Sequence, residues 1–227
     1  MNDVYPILRR CPLFSDIKKT ELQSLLKCLL ARRERFEKGS FLCVAGDDIH
    51  DVGIVLSGAV HILHEDFWGN RSVLSHVLSC DLFGEAFPCA DVKRLPVSVL
   101  AVEPTEILFV DLHKIITPCT SCCDYHTRLI KNIMQVLAQK NIGLMQKIEH
   151  LTQRSTREKL LSFLSLQAEA HGSHSFKIFY NRQELADFLA VDRSAMSAEL
   201  SRMRDEGILD YDRSHFVLHH GALSQRI

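Results

Sequence analysis

Residues 181–207, NRQELADFLAVDRSAMSAELSRMRDEG, restrict the fold more than any other stretch of the chain. Asn181 followed three residues later by Glu184 is a capping-box signature, which starts a helix by satisfying its free backbone donors. Leu185 and Leu189 line one face of that helix, and Ala186 is small where a second helix has to approach closely. Val191 is placed to turn into the core, and Asp192 to cap the next helix. There Met196, Leu200 and Met203 fall at i, i+4 and i+7, the spacing of a buried stripe. Arg193, Ser194, Ser197, Ala198, Ser201 and Arg204 take the opposite face. Gly207 ends the helix, and LDYDRSHFVL behind it reads as a hairpin turning at DRSH. Two capped helices across a tight turn, backed by a hairpin, make a winged helix-turn-helix. Short polar side chains with arginines at the helix start suit the major groove, where base edges are reached without steric bulk. The candidate DNA contacts are Arg182, Gln183, Arg193, Ser194, Ser197, Ser201, Arg202 and Arg204.

Charge does not carry this reading. The chain has 27 Lys+Arg against 28 Asp+Glu, a formal net charge of -1, and Thr152–Arg213 holds nine basic against ten acidic residues. Attraction to phosphate therefore rests on the local placement of Arg154, Arg157, Arg182, Arg193, Arg202 and Arg204, with modest non-specific affinity and clear salt dependence expected.

Upstream, the texture changes twice. Residues 1 to 30 read as short helices, with Ser15 placed to cap the one running through ELQSLLKCLL. From Phe36 to Asp111, short apolar runs alternate with turns at Gly46, Gly58, FWGN and Gly84, the pattern of a sandwich or barrel. After Pro118 a long helix runs to Leu151. Met134, Asn141 and Ile148 occupy a positions of a heptad, and Ile130, Leu137, Leu144 and Leu151 occupy d. Leucine at d with one Asn at a favours a parallel pair and fixes its register, so self-association through this helix is expected. Ile133, Val136 and Ile142 widen the stripe. The expected fold is α+β: a β-rich double-stranded β-helix (jelly-roll) domain at 1–117, a dimerisation helix at 118–151, and a winged helix-turn-helix domain at 152–227.

Eight cysteines in a chain without a signal-peptide pattern are expected to be cytoplasmic thiols, ligands or redox sensors rather than disulfides. No apolar run approaches the roughly 18 residues of a membrane span. Three cysteines cluster in TPCTSCCDYH, residues 117–126. Thr117 with Pro118 reads as a helix start. In the heptad frame Cys123 falls at d and Thr127 at a, while Cys119 and His126 both fall at g. Cys119, Cys122, Cys123 and His126 remain candidate metal or redox groups, although one helix rarely supplies all four ligands of a tetrahedral site. A cupin-type metalloenzyme is the rival class. It needs a His-x-His pair; here His61 and His64 are three apart on a strand and point to opposite faces. No nucleophile–base arrangement or P-loop accompanies them, so catalysis is not expected.

The order of parts resembles the Crp/Fnr superfamily of bacterial transcription regulators, over nearly the whole chain. PLFSDI, VLSGAV, FGEAF, AVEPTEILFVD and the stretch from Asn181 to Gly207 carry the resemblance. It implies a homodimer on a two-fold symmetric promoter site in double-stranded DNA, changing conformation when the roll senses a signal, with RNA polymerase as a further partner. It also implies base-reading places for Arg193, Ser194 and Ser197, with Ala198 standing where many members carry arginine. Cyclic-AMP-binding members set a Gly-Glu pair on the ribose and an Arg-Ser or Arg-Thr pair on the cyclic phosphate. The first pair is present as Gly84 and Glu85, but Leu95 and Pro96 stand at the second. A buried phosphate without a cation is expensive, so the expected effector is a small molecule other than cyclic AMP. Arg94 is one step away, but one step on a strand reverses the side-chain direction. Oxygen-sensing relatives gather cysteines near the N-terminus; only Cys11 is there, with Cys28, Cys43, Cys80 and Cys89 scattered.

Overall fold

The computed structural model describes residues 4–117, 124–178 and 180–219. Its contacts divide the chain into two compact units, Met1–Gln139 and Lys140–Ile227.

The first unit opens with α1 (Tyr5–Leu8), a 3-10 turn at Pro12–Phe14, and α2 (Lys19–Cys28). Ser15 does not cap α2 as its sequence position suggested. The helix begins four residues later, where the Lys18 amide donates to the Glu21 carboxylate. Eight strands follow: β1 (Arg32–Phe36), β2 (Phe41–Cys43), β3 (Asp51–Ser57), β4 (Ala59–Glu65), β5 (Arg71–Leu78), β6 (Leu82–Phe83), β7 (Ser98–Ala101) and β8 (Thr105–Asp111), with α3 (Ala86–Cys89) between β6 and β7. They form two antiparallel four-stranded sheets, in the orders β1-β8-β3-β6 and β2-β7-β4-β5. Val55, Val60, Val77, Phe83, Val99, Ile107 and Phe109 fill the space between them. On its other face the first sheet is covered by the N-terminal helices, α4 (Leu112–Ile116) and the start of α5, through Leu25, Ile54, Leu108, Ile115 and Leu129. Burial on both faces is why β3 reads as a continuous apolar run, whereas edge strand β5 is exposed along almost its whole length. Gly53 is required by packing, since a Cβ there would sit 2.1 Å from Cζ of Phe83.

α5 spans Asp124–Thr152. Leu129, Ile133 and Val136 are buried in the roll's core, and Asn132 donates to the carbonyls of Leu13 and Ser15 at 2.9 Å each. Ile133 and Val136 thus belong to this inward face and do not widen the heptad stripe. Met134, Leu144 and Ile148 stand 60–65 % exposed on the other side, joined by Ile142 and Met145. Asn141 is exposed among them, while Ile130 and Leu137 are half-buried.

In the second unit, α6 (Thr156–His171) starts at a Ser155–Glu158 capping box and stops at Gly172. Then come β9 (Ser175–Lys177), α7 (Arg182–Leu189), α8 (Arg193–Asp205), β10 (Leu209–Asp212) and β11 (His215–Leu218), the strands pairing in the order β10-β11-β9. Leu160, Phe163, Phe176, Leu185, Leu189, Met196, Leu200, Met203 and Phe216 make one core.

His150 is buried in this unit, with Nδ1 2.7 Å from the Ser162 hydroxyl and its ring edge-on to Phe163. Desolvation holds its pKa below the usual histidine range, opposed only by Glu149. A base whose folded pKa is depressed binds protons more readily when unfolded, so its contribution is present above the unfolded value of about 6.5 and is lost as pH falls. The urea midpoint of this unit should therefore drop between pH 7.5 and pH 5.5, and His150→Gln should flatten that dependence. An unchanged slope in the variant would assign the dependence to other groups.

Candidate nucleic-acid interface and effector cavity

α7 and α8 are built as the sequence pattern required. Oδ1 of Asn181 accepts from the Glu184 amide at 3.0 Å, and the Asn181 amide donates to the Glu184 carboxylate at 2.7 Å. Ala190 closes α7 in the left-handed region, at φ 49°, and Val191 packs against the core. Oδ1 of Asp192 then accepts from the Ala195 amide at 2.8 Å. With Met196, Glu199, Leu200 and Met203 turned inward, Arg193, Ser194, Ser197, Ala198 and Ser201 share the outward face of α8. Their small side chains leave the helix surface low, the shape that enters a groove. The Ser197 hydroxyl donates back to the Arg193 carbonyl at 2.9 Å, and Ser201 lies 3.2 Å from the Tyr211 hydroxyl.

Beside this face lies a concave surface lined by Lys177, Arg182, Gln183, Arg193, Arg213 and Ser214, among others. It gathers four cations against the single carboxylate of Glu184, which is already engaged in capping. A nearly neutral unit thus presents a basic patch, as phosphate contact requires. The membership differs from the sequence reading. Arg202 is 2.9 Å from Glu199, and Arg157 is ion-paired with Glu206 and Glu199; neither lines the concave surface, though Arg202 remains exposed on α8. Lys177 and Arg213, outside the sequence-derived set of contacts, do line it. Arg182 is half-buried, with its guanidinium 4.7 Å from the Tyr211 ring and 5.1 Å from Phe216; desolvation holds its pKa below the usual arginine value. Arg204 lies over Tyr211 too, at 5.4 Å. Tyr211, absent from the sequence-derived set, organises two of its arginines and one of its serines.

In the roll, a cavity of about 370 Å³ opens between the sheets. Gly84 and Leu95 line it; Glu85 and Pro96 do not, Glu85 being buried at the start of α3 and Pro96 exposed. Arg94 is exposed and lies outside the lining; it stands in an isolated bridge to Asp48 ahead of β7, not on a strand, so the alternation expected from the sequence does not apply there. Among the described lining residues the only guanidinium or ammonium is that of Arg32, committed through Nε to Glu34 at 2.8 Å and through Nη1 to Asp51 at 2.6 Å. The Gly84–Glu85 pair therefore has no cation beside it for a cyclic phosphate.

Cys119, Cys122 and Cys123 lie outside the described residues. His126 is buried, its Nε2 3.3 Å from the Lys114 carbonyl and 3.9 Å from Sγ of Cys28. Among the described residues no group of three or more His, Cys, Asp or Glu side chains is placed to hold a metal. Burial pushes the Cys11 thiol up to about 12 and the Cys43 thiol to about 11, so both stay protonated at neutral pH. His61 meets His76 across β4 and β5, ring centroids 4.8 Å apart, a pairing invisible to a search for His-x-His.

Two family models match the chain: a cyclic nucleotide-binding domain over residues 33–119 and a Crp-like helix-turn-helix domain over residues 158–226. Among curated relatives, the transcriptional activator protein Anr of Pseudomonas aeruginosa is 20% identical over 186 residues, covering 80% of this chain and 74% of its own. Among solved structures, the c-di-GMP-responsive global regulator CLP of Xanthomonas campestris aligns with a TM-score of 0.62 at 18% identity, covering 87% of this chain and 99% of that one. A CooA variant from Carboxydothermus hydrogenoformans aligns with a TM-score of 0.63 at 20% identity, over 91% and 88% of the two chains. Identities this low establish likeness of fold. No helix among the described residues is long and apolar enough to cross a membrane.

Proposed function

We propose that this chain, which belongs to the Crp/Fnr superfamily of transcription regulators, binds a two-fold symmetric promoter site as a homodimer and is switched by a small molecule other than cyclic AMP. The carrying observation is the coincidence, on an otherwise neutral unit, of a low polar helix face with a basic groove beside it. Arg193, Ser194, Ser197 and Ser201 are the base-reading set; Lys177, Arg182, Gln183, Arg204 and Arg213 hold the phosphates on either side. Arg202, tied to Glu199, takes a supporting role. The exposed stripe Met134, Leu144 and Ile148, with Asn141 between, supports pairing through α5, two helices placing two reading heads on one face of the duplex. A dimer on its promoter then lies within reach of RNA polymerase. That the described lining residues offer no arginine or lysine beyond the engaged Arg32 disfavours cyclic AMP as the signal.

Selection from a random duplex library by the purified protein tests this reading. An inverted repeat should be enriched, its half-sites about one helical turn apart. Failure to enrich any symmetric sequence would sink the proposal. On the selected site, Arg193→Ala should weaken binding about 5- to 150-fold, the equivalent of about 1–3 kcal/mol, and relax discrimination at one position per half-site. Arg213→Ala should weaken all sequences alike and reduce the salt slope by about 1.

A further inference from the structure

The roll cavity is apolar in its depth and acidic at its mouth. Phe83, Phe87, Leu95, Val97, Val99 and Phe109 supply hydrocarbon and aromatic surface. Glu34, Asp47, Asp48 and Asp51 bring four carboxylates to the same lining. Within the same lining the guanidinium of Arg32 lies 5.0 Å from the centroid of the Phe109 ring, held by Glu34 and Asp51. The chain's own side chain thus demonstrates a cation seated on an aromatic face between carboxylates. Asp47 and Asp48, across the lining, are joined by no arginine or lysine of the cavity. The Asp47 carboxylate accepts from the Val44 amide at 2.8 Å, and Asp48, an exposed residue, forms a backbone β-bridge with Arg94.

We infer that this cavity takes an organic cation, an ammonium or guanidinium on an aryl or alkyl body, with Asp47 and Asp48 receiving the charged end. The inference rests on the roll being the effector site of the regulator described above. The apolar body is desolvated against Phe83, Phe87 and the valines, as in ligand pockets with an apolar floor and few polar groups. The cationic head meets ring faces and carboxylates, each of which attracts positive charge. An anionic effector meets the reverse field, and Arg32, the one arginine or lysine among the described lining residues, is already held by Glu34 and Asp51.

Calorimetric titration of the full chain with matched probes tests the inference: phenethylammonium and benzyltrimethylammonium against phenethyl alcohol, hydrocinnamate and cyclic AMP. The ammonium ions should bind saturably and at least about tenfold more tightly than the carboxylate. Asp48→Asn should weaken ammonium binding about threefold, and Asp48→Lys about tenfold or more while improving hydrocinnamate. Saturable binding of hydrocinnamate or cyclic AMP as tight as that of the ammonium ions would overturn the inference, as would absence of ammonium binding or affinities indifferent to both substitutions. The two variants differ in steric demand, so a folding defect in one leaves the other to decide. Duplex selection on the same preparation keeps the outcomes apart: ammonium binding without an enriched operator removes the regulator reading, and an operator without ammonium binding removes only the ligand class.

Discussion

Aspartate at both Leu144 and Ile148 should convert the protein to a monomer at micromolar concentration and lower its affinity for a symmetric operator by about 10²- to 10⁴-fold. Both residues stand 60 % exposed on α5, in heptad frame with Met134 and Leu137, and neither belongs to the buried clusters of either unit. A charge there disturbs no core of the isolated chain, yet would be buried without a partner at a helix–helix seam, where it is costly. The effect on DNA follows from linkage: a dimer binds its second half-site as an intramolecular event, and a monomer forfeits that effective concentration without losing one base contact. Sedimentation velocity reads the first consequence and titration of whole and half operators the second. Half-site affinity should be unchanged in the variant. A dimer that survives both substitutions would place the interface elsewhere and leave this stripe unexplained.

The same helix shows where sequence pattern runs out. Apolar positions at heptad spacing marked Met134, Leu144 and Ile148 as one face, and they share that face in the structure. Ile133 and Val136 looked like a widening of it because periodicity reports that a position is apolar, not which neighbour covers it. Their cover is the N-terminal turn, more than a hundred residues away, held also by Asn132 and by Arg128 on the Asp16 carbonyl. The reading helix was legible residue by residue because its signals are local: a capping carboxylate immediately before its first turn, a stripe at i, i+4 and i+7, and small polar residues opposite. Tyr211, Lys177 and Arg213 escaped because a β-hairpin and β9 bring them beside the helices through pairings that span 38 to 42 residues. Charge shows the same limit. Sequence position marked Arg157 and Arg202 as phosphate contacts without showing that Glu199 pairs with both and Glu206 with Arg157. Likewise the cavity's acidic mouth joins Glu34 of β1 to Asp47, Asp48 and Asp51 at the entry to β3, and the sequence does not show that these face the same apolar lining.

Gly58→Ala should destabilise the roll by about 4 kcal/mol, while Gly143→Ala in α5 should stabilise the chain by up to about 1 kcal/mol. Gly58 links β3 to β4 at φ 81°, where a Cβ costs roughly 1–2 kcal/mol in backbone strain alone. The added methyl would also sit 2.5 Å from Oγ1 of Thr105, 2.6 Å from the Pro104 carbonyl oxygen and 2.8 Å from Cα of Thr105. Two of those atoms are backbone of the turn into β8, so relief by a side-chain rotation is unavailable. The third is the hub of the corner: the buried Thr105 hydroxyl accepts from the Ala59 amide at 3.2 Å and donates toward the Ala59 and Glu103 carbonyls at 3.1 and 2.7 Å. Moving it breaks buried hydrogen bonds on both strands, each worth about 1 kcal/mol. Gly143 has no atom within 4 Å of its would-be Cβ, so alanine there gains helix propensity and meets nothing. Hydrogen exchange distinguishes the two: amides of β3, β4 and β8 should lose protection in Gly58→Ala, while those of β9–β11 keep theirs. Protection retained in β3 and β8 would mean that the corner can open without unlocking the sheet, and the strain argument would fall.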